Sequence, residues 1–84
     1  MYIEVTEKYV ALWLYNEVIN TPFLYRDNAV KHIRALFGDD FIYTTKSGKL
    51  GISLKVMNEF RKINHRAIKW DRKRLGWKTS LWAG

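Results

Sequence analysis

No cysteine occurs anywhere in this chain of 84 residues, and that absence narrows how the chain can be held together. Neither a disulfide framework nor a thiolate metal site is available as a staple. A domain this short buries only a modest share of its surface, so its stability has to come from packing. The material is present, since 48% of residues are apolar and 15% aromatic, far from the low hydrophobicity of disordered chains. The length suits one domain, 1–84.

The charge is unevenly placed. Residues 1–54 carry six Lys or Arg against six Asp or Glu, whereas residues 55–84 carry nine against two, so the net charge of +7 belongs to the last third. Such asymmetry points to an oppositely charged partner meeting one end of the molecule. The opening residues Met-Tyr-Ile-Glu-Val have no basic segment leading into a long apolar core, and no apolar run approaches the about 20 residues that span a bilayer. A soluble, cytoplasmic protein is the expectation.

Apolar spacing gives the elements. Thr6 is a good N-cap, and Val10, Trp13, Leu14 and Val18 then share one helical face. Asn20-Thr21-Pro22 ends that helix, and Phe23-Leu24-Tyr25 suits a short strand. Asp27 reads as the N-cap of a second helix with a stripe of Val30, Ile33 and Phe37, Ala29 and Leu36 beside it, and Gly38 as its terminator. A hairpin follows, with Phe41–Thr45 as one strand, Ser47-Gly48 as the turn and Leu50–Ile52 as the return. Ser53 caps a third helix over residues 54–64, whose inner side is Val56, Phe60 and Ile63 with Met57 adjoining. Lys55, Asn58, Lys62 and His65 occupy its other side, within about 80° of arc. A second hairpin, 68–80, closes the chain: Ile68 and Trp70 point one way and Lys69 and Asp71 the other, Arg72-Lys73-Arg74-Leu75-Gly76 turns, and Trp77, Thr79 and Leu81 alternate on the return. Trp13, Trp70 and Trp77 are expected in the core.

The element order predicts an α+β fold of three helices with small antiparallel hairpins. It resembles the winged helix-turn-helix through the Val30/Ile33/Phe37 helix, the Val56/Phe60/Ile63 helix and the hairpin Ile68–Thr79. The resemblance implies that the short first strand joins the C-terminal hairpin, that the third helix recognises a partner, and that the last hairpin is the wing. The chain departs from the pattern between its second and third helices. A helix-turn-helix uses a turn of 3–4 residues there, whereas Gly38 to Ser53 intervene here. Either a hairpin is inserted in the connection, or the two hairpins pair into one sheet of a different α+β fold.

The sequence is also similar to a family of small, functionally uncharacterised bacterial and phage proteins. The shared residues are Ala11-Leu12-Trp13, Phe23-Leu24-Tyr25 with Ala29-Val30, Phe37-Gly38 leading to Phe41-Ile42-Tyr43, Phe60-Arg61-Lys62, Ile68-x-Trp70 and Trp77-Lys78. They are mostly core and turn types, so the likeness implies a fold rather than an activity.

Catalytic patterns are missing. The five glycines are scattered and form no phosphate loop, and His32 and His65 lie far apart without a Cys partner, which argues against zinc. Asp39-Asp40 suits a turn after Gly38, and Ser47, Ser53 and Ser80 have no triad context. The chain is expected to be neither an enzyme nor dependent on a cofactor or metal.

Binding remains. For nucleic acid, DNA or RNA, the third helix offers Lys55, Asn58, Lys62 and His65, Asn being able to pair with adenine and Lys to reach guanine or phosphate. The hairpin adds Arg72, Lys73 and Arg74 for phosphates or a minor groove, supported by Lys69 and Lys78. A DNA-binding regulator of phage or bacterial type is the leading expectation. The alternative is a protein-interaction module, such as a phage-encoded inhibitor docking on a host protein or nucleoprotein complex, with the basic hairpin against an acidic protein surface and Trp82 and Tyr2 as anchors. No helix is both strongly basic on one face and broadly apolar on the other, which argues against a membrane surface.

Overall fold

The structure, a computed structural model, describes residues 4–64 and 67–79. Helix α1, Glu7–Ile19, starts where the sequence places it: Thr6 is extended and its hydroxyl accepts the Tyr9 N–H at 3.2 Å. Its buried face is Val10, Ala11, Leu14 and Val18. Trp13 stands at the side of that face, half-buried, edge-on to Phe37 and His32. At the other end the Asn20 side chain and backbone N–H both donate to the Asn16 carbonyl.

Strand β1, Leu24–Tyr25, runs directly into α2, Arg26–Phe37. Asp27 is therefore not the N-cap. Tyr25 holds that place without a side-chain bond, and the Arg26 N–H donates to the Leu75 carbonyl at 2.9 Å. The C-terminal hairpin thus satisfies a donor that helix starts leave open, and Asp27 becomes a first-turn carboxylate on the positive end of the helix. Ala29, Val30 and Ile33 are buried. Leu36, expected beside the stripe, is 61% exposed. In the last turn it is Phe37 that finds neighbours, the rings of Tyr9, Trp13 and Phe41. Gly38 ends α2 at φ +90, a conformation that favours glycine.

The Asp39-Asp40 turn is a 3₁₀ segment, Asp39–Phe41, so Phe41 is a buried turn residue rather than the start of a strand. Strand β2, Ile42–Thr44, pairs antiparallel with β3, Leu50–Ile52, in the register Ile42↔Ile52, Tyr43↔Gly51 and Thr44↔Leu50. Helix α3, Leu54–Asn64, buries Val56 and Phe60, and the Ser53 hydroxyl accepts the Val56 N–H at 3.4 Å. Strands β4, Ile68–Asp71, and β5, Gly76–Thr79, form the second hairpin. Leu81, expected on its returning strand, lies outside the described residues. The Asn64 side chain anchors this hairpin by bonding both the N–H and the carbonyl of Ile68, at 2.7 and 3.0 Å.

The strands form two sheets, β1-β5-β4 and β2-β3, all neighbours antiparallel. The expectation that β1 joins the C-terminal hairpin is met, and the hairpins do not merge into one sheet. The fold is α+β, with the β2-β3 hairpin set into the connection between α2 and α3. Packing follows from this insertion: α3 rests mainly on α1, and contact between α2 and α3 is minor. The inner face of the larger sheet, Leu24, Ile68, Trp77 and Thr79, closes over the helices, Phe60 of α3 lying 6.0 Å from Trp77. Trp70 does not join the core as expected. It is 39% exposed because β4 is the edge strand, and its ring is covered on one side by Trp77 at 5.0 Å.

Candidate nucleic-acid interface

The tip of the C-terminal hairpin is built around Asp71. Its carboxylate accepts the N–H groups of Lys73 and Arg74, each at 3.0 Å, and the Leu75 N–H returns to the Asp71 carbonyl at 2.8 Å. Asp favours such turns because its side chain substitutes for a backbone acceptor. The Arg74 N–H above all, with the Lys73 N–H and the charges of Lys78 and Arg74, holds the Asp71 carboxyl below its ordinary value, against an opposing desolvation effect. Leu75 completes the turn at φ +54, a left-handed conformation uncommon for a residue with a side chain.

The three tip cations then separate by role. Arg74 is committed to the fold: its guanidinium lies 3.8 Å from the centre of the Phe23 ring and donates to the Tyr25 hydroxyl at 3.4 Å. Composition could not reveal this stacking, because 49 residues separate Arg74 from Tyr25. Arg72 and Lys73 are exposed, and their side chains have no ion-pair or hydrogen-bond partner among the described residues. Lys69 and Lys78 are directly opposite each other in the β4-β5 register, both exposed, on the outer face of the sheet. Like charges in that relation destabilise a strand pair, and the Asp71 carboxylate, which Lys78 attracts, offsets this in part.

Lys55, Asn58 and Lys62 form a second group. They border an open groove that also takes in Thr6, Glu7, Lys8 and Glu59. Lys62 pairs with Glu59 at 2.8 Å, and Asn58 Oδ1 accepts from Arg61 at 3.1 Å. His65 lies outside the described residues, as do Tyr2 and Trp82. The helix group and the hairpin group do not share one surface. Trp77 turns inward to Phe60 of α3, and alternation along β5 turns Lys78 the other way.

A cleft of about 500 Å³ lies between the β2-β3 hairpin, α3 and β4. Sequence reasoning missed it because its walls come from residues 26 to 77 and no local spacing joins them.

Residues 6–79 match a family of unknown function, DUF6953. The chain belongs to this family. No curated protein and no solved structure matches it. The DUF6953 match covers every described helix and strand, from α1 to β5. Among the described residues no helix is long and apolar enough to cross a membrane, and no cluster of three His, Asp or Glu could hold a metal ion.

Proposed function

We propose that this chain is a small basic nucleic-acid-binding domain of winged-helix type, a DNA-binding regulator such as phages and bacteria use, in which the β4-β5 hairpin is the wing. The carrying observation is the arrangement of exposed cations on that hairpin. Lys69 faces Lys78 across the strands, and Arg72 and Lys73 extend from a tip that Asp71, Leu75 and Arg74 hold in place. A row of phosphates relieves the repulsion between the lysines, and the tip gives up little freedom on binding because it is already ordered. The α3 group, Lys55, Asn58 and Lys62, supplies a separate contact, weaker because Glu59 and Arg61 already engage two of its members.

The test is an anisotropy titration with random-sequence duplex at two salt concentrations. Binding is strong at low salt and lost by about 0.3 M, because each phosphate contact releases counterions. No binding of any DNA or RNA at any salt sinks the proposal. A protein-interaction module is the second reading, favoured by Tyr9, Leu12 and Leu36, which leave apolar surface exposed on α1 and α2. A partner recovered from cells that survives nuclease treatment and is lost on Leu36→Asp supports it.

A further inference from the structure

The cleft has the chemistry of a nucleotide site. Four aromatic side chains line it, Tyr43, Phe60, Trp70 and Trp77, and two of these stay open to solvent, Tyr43 at 52% and Trp70 at 39%. Arg26, Lys49 and Arg61 bring three positive charges, and no carboxylate is among the lining residues. Arg26 Nε makes no hydrogen bond and is held in a loose ion pair with the Asp27 carboxylate at 3.8 Å. The volume of about 500 Å³ lies within the about 300–1,000 Å³ usual for small-molecule sites.

We infer that this cleft takes one unpaired nucleotide of a single strand, its base stacked on Trp70 and its phosphate held by Arg61 and Lys49. The inference rests on the nucleic-acid proposal and adds to the wing's duplex contact a separate site for a single strand. Continuity decides for a strand over a free nucleotide. β4 is the sheet edge, with Lys69 on its outer face and Trp70 on its inner face, so a backbone lying along Lys69 and Lys78 crosses one strand to bring a base to Trp70. A base inside a duplex cannot do so without unstacking, whereas single strands offer their faces to aromatic side chains.

The experiment is anisotropy with a labelled 12-nucleotide single strand, the matching duplex, an abasic strand of equal length and a free nucleoside monophosphate, all at one salt concentration. The single strand binds at least about tenfold more tightly than the duplex, abasic strand or mononucleotide. Trp70→Ala weakens single-strand binding by about tenfold and leaves duplex binding unchanged, while Trp70→Phe retains it. Circular dichroism checks that each variant is folded. Should Trp70→Ala unfold the chain, Lys49→Ala on the exposed turn of the β2-β3 hairpin serves in its place, and it weakens single-strand binding more than duplex binding. Equal binding of single strand, duplex and abasic strand overturns the cleft assignment while leaving the nucleic-acid proposal standing. So does a mononucleotide that binds as tightly as the strand. Failure of every nucleic acid to bind overturns both, as does saturable binding of an acidic aromatic peptide alone.

Discussion

The two hairpins have similar strands and opposite designs. β2-β3 turns through Gly48 at φ +84, where glycine relieves the strain, and its turn is closed by the Thr45 hydroxyl and backbone. β4-β5 turns through Leu75 at φ +54, where a side chain is kept despite the strain, and an aspartate and an arginine stacked on Phe23 hold it. The first stands as a two-stranded sheet, while the second is tied into β1 and into the first turn of α2. A turn secured by several side chains from distant segments is a platform for a charged tip. A turn secured by one glycine and its own neighbours is a connection.

The comparison breaks most severely at the glycine inside each hairpin. Gly76 lies under the Phe23 ring, and a Cβ there meets that ring and the Leu24 carbonyl oxygen at 2.5 Å. Backbone cannot yield as a side chain can, so Gly76→Ala destabilises by about 3 kcal/mol in urea denaturation. Gly51→Ala meets the Tyr43 ring at 2.8 Å, which can swing outward, and costs less than half as much.

Next in size is binding. Replacing Arg72 and Lys73 together by Ala weakens duplex binding about tenfold and flattens its salt dependence by up to about two phosphates, with stability unchanged. Lys46→Ala, on the exposed turn of the other hairpin, changes affinity less than about twofold in the same titration. Equal effects from the two hairpins would remove the distinction between platform and connection.

The turns themselves come third. Gly48→Ala costs about 1 kcal/mol of stability, because alanine resists positive φ. Leu75→Gly goes the other way, stabilising by no more than about 1 kcal/mol, since relief of strain is offset by a freer unfolded chain. Thermal melts of both variants give the two signs directly.

The smallest effect is that of pH. Asp71 has a lowered carboxyl value in the folded chain, so its contribution is complete above the ordinary value of 3.8 and is lost as pH falls through the lowered one. Asp71→Asn is therefore less stable than the natural chain at pH 6, and the gap narrows as pH drops below 3.8. A gap constant with pH assigns the turn to hydrogen bonding by either side chain.

Much of the fold was legible because its signals are local. Thr6 and Ser53 announce helix starts through their hydroxyls, Gly38 a stop, and the 54–64 helix is bounded where apolar spacing bounds it. Local signals failed where a distant segment supplied the missing partner. Asp27 looked like an N-cap because no sequence pattern reveals that Leu75 caps the Arg26 N–H instead. Trp70 looked like core because alternation gives the face of a strand and not whether that strand lies at the edge.

The basic last third had the same fate. Its charge and its hairpin follow from residue type and order, because strand alternation and turn propensity act over a few residues, whereas Asp71, read as a strand residue, proves to hold the turn. Which of its cations are free is a tertiary matter. Arg74 is drawn onto Phe23, Lys62 onto Glu59, and Lys69 and Lys78 are set against each other by strand register. Sequence determined that this end of the chain is positive. Only packing decided where that charge is spent and where it is left facing solvent, since side-chain pairing depends on distances that the order of residues does not contain.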